Sequence, residues 1–77
     1  RLRDLKKYEE AISILNKFLK DQEDERVYRN LGYIYYKMKK FKMALVAYEK
    51  SLELGCPIRQ QVVNYIKIIR KEMYGVD

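Results

Sequence analysis

Lys6-Lys7-Tyr8 with Ala11-Ile12 returns thirty-three positions later as Lys39-Lys40-Phe41 with Ala44-Leu45. A self-similarity of that length, in a chain of 77 residues, restricts the fold to an array of small units, each of which buries its apolar face only against its neighbours. Three Gly, one Pro and no Trp, with abundant Lys, Glu, Leu, Ile and Tyr, suit helices better than twisted sheets. The predicted fold is all-α.

Apolar spacing divides the chain into four helices. From Lys7 to about Lys20, Ala11, Leu15, Phe18 and Leu19 form one stripe, widened by Ile12 and Ile14. The run Asp21-Gln22-Glu23-Asp24 follows as a connector, with Asp24 placed to cap the next helix and Glu25 placed to pair with Arg29 one turn on. From Glu25 to about Met38, Tyr28, Leu31, Gly32 and Tyr35 share a face, and Val27 and Ile34 form a second flank. Lys39-Lys40 marks a turn before a third helix from Phe41 to about Leu54. Gly55-Cys56-Pro57 breaks the chain, because Gly suits a left-handed helix terminus and Pro the first turn of a following helix. The fourth helix is predicted from Pro57 to about Met73, with Val62, Tyr65, Ile66 and Ile69 one period after Tyr28, Leu31, Gly32 and Tyr35.

Small residues carry the packing argument. Gly32 opposite Ala44 would let two backbones approach closely, with Tyr28, Tyr35 and Tyr48 filling the space around them. Ile66 stands at the position of Gly32 in the last unit, so a partner helix there must sit further away or be missing, and the last helix reads as a cap.

The series Tyr28, Leu31, Gly32, Tyr35, Phe41, Ala44, Tyr48, Ser51 and Leu52, closed by Pro57, resembles a tetratricopeptide repeat. The departures are Tyr28 where Trp is common, Lys39 where the turn usually has Gly, Ser51 for a usual Ala, and Pro57 one place late. The resemblance implies antiparallel helical hairpins stacked as a short right-handed solenoid: residues 1–24 as the second half of a repeat, 25–58 as a complete one, and 59–77 as the first helix of a further repeat or a capping helix. The chain opens at Arg1, on what reads as the tail of a helix. It is expected to be a piece of something longer.

Proteins of this family generally act as scaffolds that hold a partner segment along the first helices of successive repeats. On a helical wheel the corresponding face carries Arg26, Arg29, Asn30, Tyr33 and Lys37, and in the last helix Gln60, Val63, Asn64, Lys67 and Lys71; the groove is expected to be lined by Arg26, Arg29, Asn30, Tyr33, Lys37, Asn64 and Lys67, with Arg70 added to them. Asn30 and Asn64 lie one repeat apart and resemble the asparagine ladders with which some members grip a peptide backbone. Tyr33 would supply contact area. The cations, within a formal net charge of +6, favour an acidic protein or peptide partner. Arg26 and Asn30 also resemble part of the clamp used for chaperone tails, but Gln60 and Asn64 stand where that clamp needs cations, which disfavours it.

Other chemistry finds little support. The chain has no His, and Cys56 is the single cysteine, so acid–base and nucleophilic catalysis lack their usual groups. Asp21, Glu23, Asp24 and Glu25 lack the Gly and spacing of a calcium loop. The reading is a non-enzymatic module with no cofactor and no metal. A lone cysteine suits the cytoplasm. Tyrosines interleaved with Lys and Arg raise an RNA-binding alternative, yet Tyr8, Tyr28, Tyr35 and Tyr48 occupy packing positions, leaving Tyr33, aided by Tyr36, as the exposed ring. Nucleic acid and membranes are therefore the disfavoured partners. Ile68 and Met73 are unassigned by the packing, which leaves room for a neighbouring repeat, self-association through open solenoid ends, or a purely structural or oligomerisation role.

Overall fold

The computed structural model describes residues 2–75. Arg1 and residues 76–77, which the predicted first and last segments include, lie outside them. Four helices follow in order: α1 Leu2–Asp21, α2 Glu25–Lys37, α3 Phe41–Glu53 and α4 Arg59–Tyr74, with no strand among the described residues. The fold is an all-α helical repeat array, as the periodicity predicts.

α1 starts earlier than expected, at Leu2 rather than Lys7. Lys6-Lys7 repeats the composition of Lys39-Lys40 without its conformation. Lys39 takes a left-handed conformation, φ 63°, because α2 must reverse there to pack on α3. Lys6-Lys7 lies within the continuous helix Leu2–Asp21.

α2 begins where Asp24 caps it. The Asp24 backbone is extended, and its carboxylate accepts from the Arg26 amide at 2.8 Å, satisfying one of the donors that a helix start leaves open. Both α2 and α3 end in the same motif. Lys39 donates to the Tyr36 carbonyl and Lys40 to that of Tyr35, at 3.0 and 2.9 Å; Gly55 donates to Leu52 and Cys56 to Ser51, at 3.1 and 3.2 Å. These are paired reverse bonds around a left-handed residue, built on lysine in one case and on glycine, φ 85°, in the other.

α4 begins two residues later than predicted, at Arg59. The Cys56 amide is committed to ending α3, and Ile58 is not yet helical, φ −110° and ψ 50°. Pro57 therefore lies in the turn, and the first bonds of the new helix run from Gln61 and Val62 to the Ile58 carbonyl.

The interior consists of two clusters that meet at Tyr35. One gathers Val27, Leu31 and Ala47 with Ile12, Leu15, Leu19 and Tyr28 and joins α1 to the central hairpin. The other gathers Ala44, Tyr48, Cys56, Val62, Ile66 and Ile69 and joins α4 to it, with Met73 packed against its edge. Met73 thus has a place in the fold, while Ile68 is exposed. The close approach expected at Gly32 is occupied by an aromatic ring: a Cβ there would lie 2.8 Å from Tyr48 Cγ and 2.9 Å from Cδ1 and Cδ2. Ile66 needs no distant partner, since it is buried in the α3–α4 cluster.

Candidate functional site

The predicted face lies on α2 and α4, and a cleft of about 170 Å³ forms between these two helices. Arg29, Asn30 and Tyr33 enter it from α2; Gln61, Val62 and Tyr65 enter from α4, and Tyr48 and Ile58 complete its wall. The structure thus brings together three of the eight predicted residues. Gln61 and Tyr65 join them without having been expected, Tyr65 because its periodicity marks it as a packing residue.

Tyr65 organises the aromatic side of the cleft. Its ring is stacked on Tyr48, with centroids 5.5 Å apart and planes 11° from parallel, and meets Tyr33 and Tyr36 edge-on at 6.1 and 5.7 Å. Such arrangements suit the ring quadrupoles and fix each plane. Burial, reinforced by neighbouring Tyr65, Tyr33 and Tyr36, pushes the Tyr48 hydroxyl above its ordinary titration range. Tyr33 stays 44% exposed, with the Lys37 ammonium 5.8 Å from its ring centroid, within reach of a cation–π attraction.

The predicted cations divide into engaged and unengaged groups. Arg26 turns back to Asp24, with Nη2 3.1 Å from Oδ2. The hydrogen bonds that Arg26 donates, from side chain and then backbone, hold the Asp24 carboxyl below its usual range. Arg29 donates to Glu25 Oε1 at 2.9 Å, and the Ser51 hydroxyl donates to the same oxygen at 3.3 Å, tying α3 to the start of α2. Arg70 reaches Glu49 on α3 at 3.5 Å. Lys67 is exposed and meets no acid among the described residues.

The two asparagines differ in setting. Asn30 lies exposed between the α2–α4 cleft and a second one of about 330 Å³, which Ala11, Ile14 and Leu15 of α1 share with Tyr33 and Ile34. Asn64 accepts from the Gln60 side-chain amide at 3.1 Å and lines neither cleft. Among the described residues no group of His, Cys, Asp and Glu could hold a metal ion, and no helix is long and apolar enough to cross a membrane.

Residues 25–54, the whole of the α2–α3 hairpin, match the family model described as Tetratricopeptide repeat. No curated protein and no solved structure matches the chain. Repeats of this family are generally protein–protein interaction modules and are typically non-enzymatic. Over residues 25–54 the central hairpin, with Gly32 seated on Tyr48 and the flanking helices packed on either side, is thus similar to a tetratricopeptide repeat.

Proposed function

We propose that this chain is a non-enzymatic scaffold that holds a segment of a partner protein, acidic in character, against α2 and α4. The observation that carries this reading is the cleft in which the Asn30 carboxamide stands beside Tyr33 and Tyr65. A carboxamide both donates and accepts, as a peptide backbone requires, and the rings offer contact area at low entropic cost. Lys37 and Lys67 supply the positive field for an acidic segment, whereas Arg26, Arg29 and Arg70 would first have to leave Asp24, Glu25 and Glu49. They act as positioning groups in this reading, and Asn64 as an outer contact.

The setting we assign is the cytoplasm, in keeping with the single buried, unpaired Cys56. Self-association would use the exposed Ile14 and Phe18 at one end of the array and Ile68 at the other.

Titration of an acidic peptide library against the chain tests the function, with basic peptides and single-stranded RNA as parallel arms. Tyr33→Ala combined with Lys67→Glu should weaken the acidic peptides by about tenfold, equivalent to roughly 1.4 kcal/mol. Unchanged affinity in that variant, or preferential binding of RNA, would overturn the assignment.

A further inference from the structure

A cavity larger than the α2–α4 cleft lies away from it. About 500 Å³ opens between α1 and α3, with α2 as its floor. Leu19 borders it from α1, Leu31 and Tyr35 from below, and Lys42, Met43 and Val46 from α3. A volume of this size lies in the range of specific binding sites. Val46 is 68% exposed and Met43 46%, and methionine adapts its shape to whatever apolar group it meets.

The two ends of this groove differ in charge. The C-terminal ends of α1 and α3 lie on the same side, since Glu23, just after α1, meets Lys50 near the end of α3. Toward the C-terminal end of α3, Lys50 is neutralised by Glu23 at 3.5 Å. Toward its N-terminal end stand Lys39, Lys40 and Lys42, all exposed, and none meets an acid among the described residues. The Lys40 amide donates to the Tyr35 carbonyl, which anchors this basic turn to a residue that lines the groove.

Lys39 supplies a second line of argument. It occupies the left-handed position of a helix-ending motif at φ 63°, whereas Gly55 occupies the equivalent position after α3. A side chain is strained in that conformation and glycine is not. Strain kept where a cheaper residue would serve points to a use for the side chain, and here the side chain adds charge to the open end of an apolar groove.

We infer that the α1–α3 groove docks a short amphipathic helix of a partner protein, whose apolar side chains rest on Met43 and Val46 and whose acidic end meets Lys39, Lys40 and Lys42. This is the helix-in-groove mode of recognition. Its surface is separate from the α2–α4 cleft, so the two sites can be occupied together.

The probe is a synthetic amphipathic helix with two leucines one turn apart and a glutamate cluster at its N-terminus, followed by methyl and amide NMR on the full chain. The expected result is perturbation of Leu19, Met43 and Val46 that saturates, with Asn30 and Tyr33 unmoved. Val46→Glu, at an exposed position, should abolish binding with the circular dichroism spectrum unchanged. Lys39→Gly should raise the melting temperature and yet weaken binding several-fold, a split that a purely structural lysine would not produce. Peptide with lysines in place of the glutamates should bind at least about tenfold more weakly. Equal binding of the two peptides, perturbation confined to α2 and α4, or a concentration-dependent dimer of the chain alone that Val46→Glu disperses would each overturn the inference, the last by naming a second copy as the occupant.

Discussion

Gly32 is where a single side chain decides the packing of the central hairpin. With the Tyr48 ring already 2.8 Å from the place a Cβ would take, a methyl group has to push that ring, and Tyr48 is 1% exposed and stacked on Tyr65. Gly32→Ala should therefore cost about 1 to 3 kcal/mol despite its better helix propensity, read as a lowered melting temperature together with a changed near-ultraviolet tyrosine signal. The same burial sets a pH dependence. Tyr48 titrates above its ordinary value when folded, so its stabilising contribution is complete below about pH 10, where the unfolded tyrosine is still neutral, and is lost as pH rises beyond it. Tyr48→Phe should flatten that alkaline decline in urea midpoints, and a decline of unchanged steepness would refute the assignment. At this scale the sequence was only half legible. The Glu25–Arg29 pair follows from spacing alone, and that pairing is also why Arg29 is not a free groove cation. The Arg70–Glu49 pair was not legible, because it depends on the angle between α3 and α4, which no local pattern encodes.

Among elements, α2 and α3 were the easiest to read, since each is bounded by residues with a conformational reason to be there. Asp24 accepts at the start of α2, and Lys39 and Gly55 take left-handed conformations at the two C-termini. The starts of α1 and α4 were harder. Lys6-Lys7 shares the composition of the Lys39-Lys40 turn yet lies inside a continuous helix, and Pro57 suits a first helical turn yet follows an amide already committed to α3. The Asp24 cap also has a measurable consequence. Asp24→Ala removes the acceptor for the Arg26 amide and frees the Arg26 side chain, which should lower the unfolding midpoint. Because the folded Asp24 titrates low, the wild-type advantage should hold at neutral pH and vanish as pH falls through the acidic range. Guanidinium midpoints for both chains at neutral and acidic pH provide the check.

The whole molecule is a slab, 36 × 34 × 16 Å, in which the central hairpin belongs to both hydrophobic clusters while α1 and α4 each belong to one. In such an array stability is the sum of unit and nearest-neighbour terms, and the terminal elements open before the centre does. The two ends are not equal. α4 buries Val62, Ile66 and Ile69 against Ala44, Tyr48 and Cys56, whereas none of the α1 side chains described, Asp4 to Asp21, is buried and its Ile14 and Phe18 stay exposed. Amide hydrogen exchange should accordingly find the slowest amides in α2 and α3, intermediate ones in α4 and the fastest helical amides in α1. Peptide binding then acts differently on the two faces. A ligand between α2 and α4 should slow exchange in α4 and leave α1 as it was, while a helix docked between α1 and α3 should draw α1 into the protected core. Uniform protection along the chain would mean that the four helices open as one unit, and that a ligand on either face stabilises the whole slab alike.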